Sequence, residues 1–590
     1  MKTKTLGFFG ALAVYIAAVN SVFAQVAFTV SPSVISNTYQ GLITLNITGL
    51  TNTEKVTVQE WLDANKNGVI DSGDILFDVF KVTDGGAMLI GGVTNVSVPF
   101  DSNQASGAIT TTINFAAPFT LENITGQRIF QVLSPTGNAT AIMDVTNAAT
   151  GATLVGTIYS NNVPFPNSVV VALTASVQNN SYIGAAVADS SGHYSLNLSP
   201  GNYILLSAMP GCFTDQKLAP SVTLTNGATV TNNLYETNGL VAISGQVYDS
   251  VNSNAVGGLM MQVQSGSLFA LAFTDTNGNY TALVTSNFWK IKATKERLGR
   301  RAYCAPQSTF QVATTAGPVT NANVPLFKGN SMFYGRITDS GHNPFANTEF
   351  DSGDSNNLYN AKCYSQPNGQ YAAVCYADGT NIWNANPNSS INLQNYILNN
   401  SFDTNIAPGQ AIEYDFTALP VTGTISGAVH DNFGNPVVGV SLYAMQFAST
   451  NIYTSLNGTT GTNGNYALGV ANGTWQVFFS YGNNDLSHQG LVDLYGPYNV
   501  FLPPTNAILN ITVYTNGSAV LASPRFFPPS QFSMNVVGPQ GVTYTLQTST
   551  NLAAANWASL YTFQLTNNGP FPVSDIFATN RTKFYRLLKN

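Results

Sequence analysis

The sequence predicts an all-β chain, a tandem array of small β-sandwich domains behind a cleaved signal peptide. Two observations carry the β class. Charged residues make up 8% of the 590 positions while hydrophobic residues make up 44%, so low charge here does not mean disorder. The polar remainder is dominated by Asn, Thr, Ser and Gly, which favour strands and turns over helices. The third observation, which sets the tandem arrangement, is a pattern that recurs four times along the chain. A chain of this length exceeds one hydrophobic core, so several domains are expected.

The first element, residues 1–24, has basic Lys2 and Lys4, an apolar run from Leu6 to Ala18, and Val22-Phe23-Ala24 at its end. That order is a secretory signal, with cleavage expected before Gln25. No other apolar run approaches the ~20 residues of a spanning helix, so no membrane span is expected in the mature chain.

Residues 25–148 form an N-terminal β domain around Asp63-Ala-Asn-Lys-Asn-Gly-Val-Ile-Asp-Ser-Gly-Asp74. Oxygen-bearing side chains fall at loop positions 1, 3, 5, 9 and 12, with Gly68 at position 6, the spacing of an EF-hand-type calcium loop. The expected ligands are the side chains of Asp63, Asn65, Asn67, Asp71 and Asp74 with the Val69 carbonyl. Asn at position 5, and Asp74 in place of the longer Glu at position 12, weaken the set to an extracellular-type affinity of ~10⁻⁴ to 10⁻³ M. The bland alternative is a polar turn made by Asn67-Gly68. The flanks Val56-Thr-Val-Gln-Glu-Trp-Leu62 and Ile75-Leu-Phe-Asp-Val-Phe-Lys-Val82 read as strands, not helices. Calcium bound here would be structural.

Four repeats follow, at residues 149–236, 237–329, 330–419 and 420–517, the third divergent. Their opening strands are Leu154-Val-Gly-Thr-Ile-Tyr159, Ile243-Ser-Gly-Gln-Val-Tyr248, Phe333-Tyr-Gly-Arg-Ile-Thr338 and Ile425-Ser-Gly-Ala-Val-His430. A glycine inside each strand predicts a bulge or a close backbone approach. Central turns ending in Tyr194, Tyr280, Tyr371 and Tyr466, three of them carrying Asn-Gly, predict hairpins. Closing strands carry Tyr203, Trp289, Trp383 and Trp475 at equivalent places, a regularity that predicts core packing. This set of motifs resembles the carboxypeptidase regulatory-like module, a transthyretin-type sandwich grouped with carbohydrate-binding-like folds, over about residues 149–517. In carboxypeptidases that module is the accessory, not the catalyst. Residues 518–590, with Gly541-Val-Thr-Tyr-Thr-Leu-Gln-Thr-Ser549, Asn556-Trp557 and Lys583-Phe-Tyr-Arg586, resemble a short β module found at the ends of large exported bacterial proteins.

Chemistry is sparse. Four histidines, His193, His342, His430 and His488, form no ligand pair at short spacing, and no Gly-x-Ser-x-Gly, P-loop or dinucleotide fingerprint occurs. Glu349, Asp351 and Asp354 read as a solvated loop, so no enzyme is expected. A net charge of −7 argues against nucleic acid, which needs a basic footprint. The basic run at residues 290–301, KIKATKERLGRR, reads as a solvated edge, with an acidic polysaccharide or phosphate-bearing surface as the alternative. Tyr359, Tyr364 and Tyr481 are the candidate sugar platforms. Cys363 and Cys375 are expected to bridge across a hairpin, and Cys212 and Cys304 are a second possible pair. The reading is a secreted, non-catalytic, carbohydrate-binding or adhesive protein at the cell exterior, with extracellular polysaccharide or a cell-surface component as partner. The alternatives are a passive stalk or surface-layer component, and an accessory subunit of an extracellular hydrolase.

Overall fold

The computed structural model describes residues 25–590 apart from 116–122, 149–150, 175–181, 209, 389–394, 400–401, 449–450, 457, 481–484, 503–505, 516–518, 554–555, 567–569 and 581. The expected signal peptide and Tyr481 lie outside the described residues. The chain is all-β and consists of many separate sheets stacked as sandwiches. Its described helical segments are the short 3₁₀ turns Gly299–Arg301 and Leu486–Gln489. No helix among the described residues is long and apolar enough to cross a membrane. Two compact units divide between Lys328 and Gly329.

In the first unit, the strands Ala27–Ser31, Leu42–Thr48 and Ala108–Asn114 form one sheet. Facing it are Lys55–Asp63, Ile75–Thr83, Ile124–Leu133 and Asn138–Thr146. Alternation in Leu42–Thr48 (LITLNIT) turns Ile43, Leu45 and Ile47 into the core between the two sheets, as period-2 geometry requires. Lys55–Asp63 and Ile75–Thr83 pair as a hairpin from Lys55 opposite Thr83 to Leu62 opposite Ile75. Residues 63–74 are the tip of that hairpin.

All four repeats obey one plan. The opening strand (Ala152–Ser160, Val241–Asp249, Ser331–Asp339, Gly423–Asp431) pairs antiparallel with the tyrosine strand (His193–Leu198, Asn279–Val284, Gln370–Cys375, Asn465–Val470). On its other side it pairs parallel with the last strand of the repeat (Leu234–Asn238, Val324–Lys328, Phe416–Pro420, Ile511–Thr515). A second sheet forms around Val169–Thr174, Met260–Ser265, Glu349–Asp354 and Ser441–Ala448, each flanked by the closing aromatic strand.

The expected hairpins are not hairpins. The strand before each turn belongs to the second sheet and the tyrosine strand after it to the first: Leu268–Phe273 pairs with Met260–Ser265, whereas Asn279–Val284 pairs with Val241–Asp249. Each turn is therefore an arch from one layer of the sandwich to the other. Its glycine, Gly192, Gly278, Gly369 or Gly464, has φ between 72° and 79°, a conformation glycine adopts without a Cβ clash. Where Asp precedes it, as at Asp275, Oδ1 accepts from the amides of Asn277 and Asn279 at 2.8 and 2.9 Å and fixes the turn.

The cysteine expectation falls with the hairpins, since no described cysteine is in a disulfide and all four are buried. Cys363 lies opposite Phe350 and Cys375 opposite Ser331, in different sheets, so they are not cross-strand neighbours. Cys212 sits opposite Asn238 and Cys304 opposite Phe327, again in different sheets. Glu349–Asp354 is likewise a strand, not the expected solvated loop.

Expected core aromatics are buried as expected. Tyr203 is nearly covered, and Trp289, Trp383 and Trp475 are fully covered. Trp289 and Trp475 donate their indole N–H to the carbonyls of Thr285 and Ala471, at 2.9 and 2.8 Å, four residues upstream. A buried indole generally finds such a partner; the Trp383 N–H has none among the described residues.

Continuous apolar strands have a separate cause. Val169–Thr174 (VVVALT) and Leu268–Phe273 (LFALAF) are buried on both faces. In the first unit their outer faces join Leu62, Phe77, Ile124 and Met260 in a second apolar cluster. That cluster packs the N-terminal domain against the first two repeats.

Candidate functional site

The 63–74 loop is organised from within. Lys66 and Gly68 both have positive φ, 56° and 76°, and these two left-handed residues coil the chain so that alternate side chains turn inward. Asp63, nearly buried, accepts from the amides of Gly68 (2.7 Å) and Asn67 (3.3 Å). Asp74 accepts from Ala64 (3.1 Å) and Asp71 (2.9 Å), tying the two ends of the loop together. The Asn65 and Asn67 side-chain amides both donate to Asp71 Oδ2 at 2.8 Å. Val69 is exposed.

Charge in the loop is unevenly stabilised. The Gly73 amide and the Asn65 and Asn67 side chains hold the Asp71 carboxyl below its usual range. Burial pushes the Asp74 carboxyl up, and the nearby Asp63 and Asp71 carboxylates push it further. In this arrangement amide nitrogens, not oxygens, face Asp71. A cation would require Asn65 and Asn67 to rotate and present Oδ1, after which five side-chain oxygens could converge. Among the described residues no group of three or more His, Cys, Asp or Glu is placed to hold a metal ion.

Of the sugar-platform candidates, the structure separates two. Tyr364 is buried and donates to Glu349 Oε2 at 3.2 Å; it cannot stack on a ligand. Tyr359 is half-buried, edge-on to Tyr376 with centroids 5.1 Å apart and parallel to Trp383 within 4°. Asp354 fixes it by accepting from its backbone amide at 2.6 Å. Asp378 lies near it, and a short side-chain network runs from the Asn356 amide to the buried Asn381 and on to Asp378.

The basic run is not a solvated edge throughout. Lys290 and Lys292 are exposed on Phe288–Ala293, but Arg297 and Arg301 are buried. Arg297 pairs with Glu60 and Asp78, Arg300 with Asp78 at 2.6 Å, and Arg301 Nε with Asp78 at 2.9 Å. Arg301 also donates to the Gly258 carbonyl at 2.6 Å. Arg128 and Arg297 lie over the Phe77 ring at 4.4 and 4.7 Å. Glu60 and Asp78 face each other across their ladder, so two like charges sit opposite one another and need cations. The arginines supply them and fasten the second repeat to the N-terminal domain. Sequence reading missed both acids; their signal is a carboxylate set in the middle of each strongly β strand.

No protein-family model matches the chain, and no curated protein matches it. Solved structures are similar at low identity. The Bacillus anthracis TIE protein is 11% identical over 83% of this chain and 74% of its own, with a TM-score of 0.16. A streptococcal ancillary pilin is 12% identical over 47% of this chain and 99% of its own, at 0.17. BcpA, the major pilin subunit of Bacillus cereus, is 10% identical over 47% and 99%, at 0.14. None of these likenesses bears on what this chain does.

Proposed function

We propose that this is an exported, non-catalytic protein whose sandwich modules bind extracellular polysaccharide. The observation that carries the reading is the Tyr359 surface. A half-exposed tyrosine, packed against Tyr376 and Trp383, lies beside the exposed Asp378 carboxylate, to which the exposed Asn356 amide is linked through the buried Asn381. Stacking on a sugar ring and hydrogen bonding to its hydroxyls need those two kinds of group side by side. The resemblance of the repeats to carbohydrate-binding-like folds supports it at the level of fold.

Calcium at residues 63–74 belongs to this reading as a structural ion. Asp63, Asn65, Asn67, Asp71, Asp74 and the Val69 carbonyl would hold it and stiffen the hairpin tip.

A second reading, a structural spacer, has its own support. Two residues join the last strand of the first repeat, Leu234–Asn238, to the opening strand of the second, Val241–Asp249. Two also join Phe416–Pro420 to Gly423–Asp431. Such short links suit modules that transmit force.

The test is retention of the chain from Gln25 onward on a panel of insoluble glycans, with Tyr359→Ala alongside. Retention of the parent on one glycan class and its loss in the variant is expected. No retention of the parent on any glycan would leave the spacer reading in place of the binding one.

A further inference from the structure

In the first unit, a cavity of ≈ 490 Å³ lies between the N-terminal domain and the second repeat. One wall is the outward face of the Lys55–Asp63 and Ile75–Thr83 hairpin. Lys55 stands opposite Thr83 and Thr57 opposite Lys81, so Lys55 and Lys81 are diagonal neighbours on one face, within about 7–8 Å at their Cβ atoms. Arg300, Arg301 and Lys328 line the other wall. Five of the chain's 21 basic residues thus meet at one cavity of an acidic protein, and no Asp or Glu is among its described lining residues.

The carboxylates nearest this wall are already engaged. Asp78 is buried behind it against Arg297, Arg300 and Arg301. Asp249 accepts from the Tyr303 hydroxyl at 3.0 Å. Lys328 donates to the neutral Arg301 carbonyl and lies 4.5 Å above the Tyr303 ring. Burial pushes its ammonium below the usual lysine range, Asp249 offsets this, and Arg301 and Lys55 push it further down. Lys328 is half-buried while Lys55 and Lys81 are exposed at the mouth of the cavity, and like charges gathered this way repel one another and favour a counter-anion. The rest of the lining is polar and aromatic, with Thr57, Gln59 and Tyr303, and the volume lies in the usual range for small-ligand sites.

We propose that this cavity is a binding site for an anionic sugar unit, a uronate or a sulfated residue of an extracellular polysaccharide. Lys55, Lys81 and Lys328 meet the anionic group. Thr57 and Gln59 hydrogen-bond the hydroxyls, and Tyr303 offers its ring. The site is separate from Tyr359, but the source of the anion rests on the polysaccharide reading.

The test uses the full chain from Gln25 with Lys55→Ala/Lys81→Ala. Its control is Lys290→Ala/Lys292→Ala, which removes the same charge from exposed positions in the second repeat. Binding is measured to polygalacturonate, dextran sulfate, neutral dextran and inorganic sulfate. Expected are binding to at least one acidic glycan and a loss of about five- to tenfold in the Lys55/Lys81 variant, with none in the control. Undiminished acidic-glycan binding in that variant, or binding to neutral glycan alone, overturns the site and leaves the polysaccharide reading standing. A response to inorganic sulfate alone marks a free-anion site and overturns the sugar assignment. Failure on every glycan overturns both.

Discussion

Gly427 and Tyr466 face each other across the opening ladder of the fourth repeat, and both press on the carbonyl of Leu509. The Tyr466 hydroxyl donates to that oxygen at 2.7 Å, and a Cβ on Gly427 would lie 1.9 Å from it. The relationship recurs with Gly156, Tyr194 and Asn232, with Gly245, Tyr280 and Ala322, and with Gly335, Tyr371 and Tyr414. In each repeat the next residue closes the break: Asn233, Asn323, Asp415 or Asn510 accepts from the amide after the glycine at 2.7–3.0 Å. The parallel ladder is interrupted there, and these side chains satisfy the backbone groups that the interruption exposes.

Gly427→Ala should therefore cost about 3 kcal/mol or more, because its nearest neighbour is backbone and cannot step aside. Tyr466→Phe should cost about 1–3 kcal/mol for the orphaned carbonyl. Gly434 has φ +89° with open space around it, so Gly434→Ala should cost only about 1 kcal/mol. Hydrogen exchange of the Gly423–Asp431 strand ranks the three; equal effects at Gly427 and Gly434 would refute the close-approach account.

The repeat glycines and tyrosines were legible because recurrence singles out positions without any structure. Their shared oxygen was not, since it lies 38–43 residues beyond the tyrosine in a segment of common Asn and Thr. The arches were misread for a related reason: Asn-Gly specifies a turn, while the sheet that receives each strand is set by packing far away. Charge in 290–301 was visible, but its partners Glu60 and Asp78 lie 219–237 residues off. Sequence reading of the 63–74 loop gave both its position at a turn and its strand flanks correctly, because both are local.

Asp78 should dominate the acid sensitivity of the first unit. Burial alone would raise its carboxyl, but Arg301, Arg300 and Arg297 outweigh that and hold it well below the usual range. A depressed folded value contributes stability that is present above the unfolded pKa, about 3.9, and is lost as pH falls through the folded one. Asp78→Ala, leaving Arg300 and the buried Arg301 without their carboxylate, should cost about 3–5 kcal/mol at pH 7 and flatten the acid limb. A denaturation series from pH 7 to 2 checks both.

Glu236 should act in the opposite sense. It is buried in the first repeat, where Ser168 donates to it, and burial raises its carboxyl above the usual range. Its contribution is fully present below the unfolded value and is lost as pH rises through the folded one. Glu236→Gln should therefore raise the melting temperature at pH 7 and leave it nearly unchanged at pH 4. A variant less stable than the parent at pH 7 would count against a costly buried charge.

All four cysteines should behave as shielded thiols. Burial pushes Cys212 up to about 12, with the Glu236 carboxylate adding to it, so little thiolate is present at neutral pH. A thiol-reactive chromophore should find almost none in the native chain and all four in denaturant under non-reducing conditions. Only two reactive thiols in denaturant would restore one of the bridges expected from sequence.

Calcium should stabilise the N-terminal domain if Asn65 and Asn67 can turn their oxygens toward Asp63, Asp71 and Asp74. With a dissociation constant of ~10⁻⁴ to 10⁻³ M, about 10 mM calcium adds about 1.4–2.7 kcal/mol. Because burial and its acidic neighbours raise Asp74, protons should displace the ion at a higher pH than for an ordinary carboxylate. The calcium-induced rise in melting temperature should thus shrink as the solution is made acidic. Asp63→Asn should abolish the rise, since Asp63 anchors the Gly68 amide and supplies the first ligand. Magnesium, which demands tighter octahedral geometry, should give a smaller shift. No calcium shift in the parent, or an equal shift in Asp63→Asn, would make the loop a hydrogen-bonded turn held by Asp63, Asp71 and Asp74 without an ion.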